Sequence, residues 1–138
     1  MISDYLANLL LNYALGNSGA DAVGPVYIAL LTALPNRETA SVSGEVSGGG
    51  YIRLGPVTFG SASGGKKVSD TAYTFAAPTA DWATATGPII CVALMDAVTG
   101  GNWLFASPIC PQIVLKGDFA PRFEVGSLKA MLGIDGGC

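Results

Sequence analysis

Glu45-Val46-Ser47-Gly48-Gly49-Gly50-Tyr51-Ile52-Arg53-Leu54-Gly55-Pro56-Val57-Thr58-Phe59 runs three consecutive glycines straight into a stretch of β-branched and aromatic residues. Three glycines free the backbone to take positive φ, so the chain can turn sharply or pass close to another backbone before it becomes extended. Tyr51 to Phe59 is strand-prone. Pro56 withholds one ladder donor from it, which points to an edge or bulged position in a sheet.

Upstream, Pro35 to Gly50 is a long polar connection carrying Arg37, Glu38 and Glu45. Loops of this length inside a domain are commonly functional, and a binding loop is expected here. Val26-Tyr27-Ile28-Ala29-Leu30-Leu31-Thr32 is apolar on both faces, as suits a central strand covered on each side. Ser3 to Gly16 has the signature of a helix: Ser3 as N-cap, Asp4 in the first turn, Leu6, Leu9, Leu10 and Tyr13 at helical spacing, and Gly16 as stop. Two uses of its apolar face stand open, packing on its own domain or docking as an arm onto a neighbouring subunit.

Downstream, Gly60-Ser61-Ala62-Ser63-Gly64-Gly65-Lys66-Lys67 nearly spells a phosphate-cradling loop. The chemistry fails, because Lys67 stands where a hydroxyl should hold magnesium and the residues that follow, Val68 to Phe75, read as a strand, not a helix. Ala76 to Pro88 is a small-residue loop with Asp81 and Trp82, and Ile89 to Met95 is the most hydrophobic strand. Asp96 to Asn102 turns the chain back into a short partner strand, Trp103 to Ala106. Ile113-Val114-Leu115 and Arg122-Phe123-Glu124-Val125 suggest a second hairpin around Lys116-Gly117-Asp118, while Ser127 to Leu132 fits either a strand or a short helix. About seven or eight short strands with one helix predict an all-β, jelly-roll-like β-sandwich. A single domain over residues 1–138 is expected, with residues 1–16 as helix or arm and 127–138 as an uncertain tail.

Composition narrows function. Of the 138 residues 50% are hydrophobic and only 12% charged, against roughly 25% in an average soluble domain, which hints at permanent burial against partners. Seven cations in a chain of net charge −3 offer no nucleic-acid footprint. No apolar run nears the length that spans a bilayer, so neither nucleic acid nor membrane is an expected partner. The first residues lack a secretory signal, which predicts synthesis and retention in the cytoplasm of the producing cell.

The absence of histidine removes the commonest general base and the commonest zinc ligand. The acids are scattered through predicted turns, where capping explains them better than acid–base work. No enzyme, cofactor or metal is therefore expected. Cys91 lies in an apolar strand and reads as an inert buried thiol, whereas Cys138, after Gly136-Gly137, could form an inter-subunit disulfide in an oxidising medium. Trp82 and Trp103 invite a sugar-binding reading, but core packing is the stronger one.

Six stretches, taken in order, resemble a family of small structural proteins of tailed bacteriophages: Ser3-Asp4-Tyr5-Leu6-Ala7-Asn8, Val26 to Thr32, Glu45 to Arg53, Val57-Thr58-Phe59-Gly60, Thr79-Ala80-Asp81-Trp82 and Asp96 to Asn102. Such proteins commonly go under the name of tail-fibre proteins, and similar small jelly-roll proteins serve as cement or decoration proteins on phage heads. The resemblance implies a non-enzymatic virion protein, first of all a cement protein in many copies on the capsid surface that bridges capsomers of the major capsid protein. Self-association, a dimer by preference, goes with that reading. A tail- or head-fibre module contacting the host receptor is the alternative, and a carbohydrate-binding lectin-like domain the second. The candidate interface comprises Arg37, Glu38, Glu45, Tyr51 and Arg53 together with Tyr5 and Leu9 of the helix.

Overall fold

The computed structural model describes residues 1–16 and 23–132. Among them are one helix, α1 (Asp4–Ala14), and eight strands: β1 (Val26–Leu31), β2 (Leu54–Val57), β3 (Lys66–Val68), β4 (Tyr73–Thr74), β5 (Ile89–Met95), β6 (Trp103–Gln112), β7 (Arg122–Phe123) and β8 (Lys129–Met131). An antiparallel sheet in the order β2-β1-β5-β6 forms one layer, and two ribbons, β3–β8 and β4–β7, supply strands to the other. The result is an all-β, sandwich-like fold.

The two most hydrophobic strands lie side by side at its centre, β1 against β5 in unbroken register from Tyr27↔Met95 to Leu31↔Cys91. Their continuous apolar character follows from burial on both faces. Alternate residues Ile28, Leu30, Val92 and Leu94 meet Phe75, Trp82, Val114 and Leu128 in the larger core. Ala29, Leu31, Cys91, Ala93 and Met95 face the other way, onto Trp103 and Ala106. That second core is covered by the long loop, whose Val42 packs on it. Ala40 accepts the Trp103 N–H at 2.9 Å and Thr39 accepts the indole N–H at 2.7 Å.

α1 begins as its sequence predicts. Ser3, fully buried, accepts the Leu6 N–H on its hydroxyl at 3.2 Å. The residues before the helix add to the free edge of β6: Met1 and Ala106 exchange bonds of 2.7 and 2.8 Å, and the Ser3 N–H reaches the Leu104 carbonyl at 2.9 Å.

Four expectations about the strands are corrected. The strand after the triple glycine is confined to Leu54–Val57; it is an edge strand, with a register slip opposite Val26 and Ile28. The stretch Val68 to Phe75 is broken into β3 and β4, because after the Ser69 N–H makes the last bond to β8's side, at the Leu128 carbonyl, the Asp70 N–H turns to that of Thr58. β6 does not stop at Ala106 but continues to Gln112. Ala106 turns its N–H outward to Met1, and Pro108, two residues on, has the same orientation, so its missing donor falls on the open side of the sheet. The hairpin of Ile113–Leu115 with Arg122–Val125 does not form. A turn exists at Lys116 to Asp118, but Val114 bridges to Ala83, while β7 pairs with β4. The ambiguous Ser127 to Leu132 holds a strand, β8.

Candidate functional site

Gly48, Gly49 and Gly50 all take positive φ, 75°, 58° and 79°. They fold the end of the long loop back so that Glu45, Tyr51 and Arg53 converge. Arg53 donates from Nε to Glu45 Oε1 and from Nη2 to Oε2, both at 2.7 Å, a two-pronged ion pair. Its Nη1 reaches across to the turn after β5, donating to the Ala97 and Gly100 carbonyls at 2.7 Å each. The Tyr51 hydroxyl donates to Glu45 Oε1 at 3.1 Å and accepts the Leu30 N–H at 3.0 Å. That turn is itself clasped by Asp96, whose carboxylate accepts the Asn102 backbone and side-chain N–H groups at 2.6 and 2.8 Å.

The electrostatics of this cluster are those of a strut. Burial, with the Glu45 charge beside it, pushes the Tyr51 phenol well above its usual range, against the opposing bond from Leu30, and the phenol stays neutral. Hydrogen bonding to Glu45 holds the Arg53 guanidinium more firmly protonated still. Protons locked in this way serve cohesion; none is poised near neutral pH for transfer.

An aromatic cluster backs the strut. Tyr51 stacks on Phe75 with centroids 5.8 Å apart, and Trp82 meets both edge-on at 5.4 and 5.9 Å. The Trp82 indole N–H donates to the Gly49 carbonyl at 2.9 Å, and a Cβ on Gly49 would lie 3.0 Å from the ring, so glycine is required there on two counts. Both tryptophans are buried with their N–H groups satisfied, so neither presents a face to a sugar. Cys91 is fully buried, its thiol pushed up to about 11 by that burial. Cys110 is disulfide-bonded, and the Cys138 cross-link expected from the sequence lies outside the described residues.

The seven candidate interface residues thus divide. Arg53 is buried, and Glu45 and Tyr51 are partly buried and committed to it, so the structure assigns these three an internal role in place of the surface one expected. Arg37, Glu38 and Tyr5 are exposed and Leu9 is half-buried. The Arg37 side chain meets Asp4 at 2.6 Å, and its carbonyl accepts the Asp4 N–H at 3.1 Å. The middle of the long loop is thereby fastened to the start of α1, and loop and helix form one surface.

Sequence reasoning missed the most exposed apolar side chains on that surface and elsewhere. Leu11 and Leu15 are 56% and 79% exposed on the helix, and Phe119 stands fully exposed after the Lys116–Asp118 turn. The available signal was the stretch Tyr5 to Gly16, which contains no charged residue. An open hollow of about 550 Å³ lies beside Phe119, lined by Ile89, Ile109, Ile113 and Val114 among others. Among the described residues no three His, Cys, Asp or Glu side chains are grouped to hold a metal, and no helix is long and apolar enough to cross a membrane.

A family model described as "Podophage GP4 fiber I protein gp80" matches residues 1–131. The comparison with curated proteins gave no match. The match runs from the first residue to the end of β8, and the chain belongs to this family of phage fibre proteins.

Proposed function

From membership in a podophage fibre family, we propose that the chain is a non-catalytic building block of a virion fibre, held among its neighbours by packing contacts. The observation that carries this reading is the family match over residues 1–131. The geometry supports it from a second side. The groups best suited to chemistry, Glu45, Tyr51 and Arg53, are spent on internal cohesion, whereas α1 leaves Leu10, Leu11 and Leu15 exposed.

A capsid cement protein bridging copies of the major capsid protein is the second reading; the low charge content suits permanent contact in either setting. The two differ in number and place. Gold-labelled antibody on purified virions, with quantitative mass spectrometry of copy number against the major capsid protein, separates them. Label confined to fibres, at tens of copies or fewer, is expected. Label spread over the head at hundreds of copies would replace the fibre reading with the cement one. A lectin-like role has lost its aromatic platforms, and binding on a glycan array would be needed to restore it.

A further inference from the structure

The fold accounts for only one side of α1. Its core-facing stripe, Leu6, Leu9 and Tyr13, is buried at Leu6 and 74% exposed by Tyr13, so the helix overhangs the body at its last turns. A second stripe, Ala7, Leu10, Leu11 and Ala14, repeats at i, i+3, i+4 and i+7 on the next face round the helix, and Leu15 extends it. Leu10, Leu11 and Leu15 are exposed. The only charged residue of the helix, Asp4, sits at its far end, tied to Arg37. Two adjacent apolar stripes call for cover on both sides, yet in the second only Ala7 and part of Leu10 are shielded, and Leu11, Ala14 and Leu15 stand open.

We propose that this face seats against α1 of a second copy of the chain, in a two-fold pair. The exposed parts of Leu10, Leu11 and Leu15, with the alanines between, come to on the order of 400 Å² per copy, hence on the order of 800 Å² per pair, the size of a weak, concentration-dependent interface. A two-fold contact uses one patch twice, so a patch with no charge meets no like charge. Ala7 and Ala14, one heptad apart at its centre, let the two helix backbones approach closely while the leucines interdigitate around them. Pairing deepens the fibre reading and rests on it only for where the pair is used; antibody labelling of virions tests location, and the experiment below tests association of the isolated chain.

Light scattering and sedimentation equilibrium on the full-length chain are expected to give a dimer at tens of micromolar. Leu11→Glu/Leu15→Glu should weaken it at least tenfold and yield monomer, while Phe119→Ser, an equally exposed apolar site away from the helix, should leave the dimer intact. Near-ultraviolet circular dichroism from the buried Trp82 and Trp103 checks that each variant is folded; if the double glutamate lowers that signal, Leu11→Ser/Leu15→Ser takes its place. A monomeric parent, a stoichiometry other than two, a dimer that persists in the folded helix variants, or one lost with Phe119→Ser would each overturn the proposal.

Discussion

Arg53 sits 8% exposed with two guanidinium nitrogens on Glu45 and the third shared between the Ala97 and Gly100 carbonyls. Truncating it leaves a partly buried carboxylate without its counter-charge and two turn carbonyls without a donor. We therefore expect Arg53→Ala to cost about 3 kcal/mol, read as a lowered urea midpoint at unchanged slope. Glu45→Gln/Arg53→Met, which removes both charges while keeping volume, should cost clearly less, because the penalty lies in the orphaned charge and not in the lost pair. Equal losses would show that shape, not charge, is what the strut supplies. The sequence reading places both residues at an interface because the long loop and the edge-like strand that follows it look like one exposed surface. Their pairing depends on Gly48 to Gly50 folding eight residues of chain back on itself, and on contacts with a turn more than 40 residues away, neither of which local pattern can show.

At the scale of elements, α1 is the one most fully specified by its own residues, and Ser3 does two jobs in it. Its hydroxyl caps the first turn while its N–H extends the sheet at Leu104, so helix and sheet are joined through one buried residue. Ser3→Ala keeps the sheet bond and loses the cap. The expected cost is about 1 kcal/mol in thermal or urea unfolding, with Ser3→Asn, another good N-cap, tolerated only if its bulk fits that buried site. A neutral Ser3→Ala would mean that the Met1–Ala106 pairing alone seats the helix. Elements whose identity is local were legible: α1 from spacing and cap, β1 and β5 from unbroken apolar runs, the turn after β5 from Gly100, Gly101 and Asn102. Those defined by a distant partner were not. β4 and β7 are two residues each and exist because Tyr73 faces Phe123; Val114 chooses Ala83 over the nearer Phe123. β6 runs past the Trp103–Ala106 that the turn before it suggests, and its edge position, with the missing Pro108 donor turned outward, is what lets it continue.

For the whole molecule the question is which surface holds it to its neighbours, and ionic strength discriminates between the two on offer. The β3–β8 ribbon carries Lys66, Lys67 and Lys129, all exposed, three of the seven cations of a chain with net charge −3. Contacts made through that ribbon would join opposite charges at high dielectric, and most of their strength would vanish within the shortened Debye length of concentrated salt. Contacts made through the second stripe of α1 would bury leucine and alanine, while the Asp4–Arg37 pair is exposed and contributes little. The dimer constant from sedimentation equilibrium should then change by less than about twofold between about 50 and 500 mM sodium chloride, screening having nothing to act on. Sodium sulfate should tighten it, because excluded salts strengthen apolar burial. Cooling should loosen it for the same reason that it weakens any association driven by water leaving apolar surface. A dimer that dissociates on adding sodium chloride would move the interface from the helix to the lysine ribbon, and with it the face by which successive copies meet.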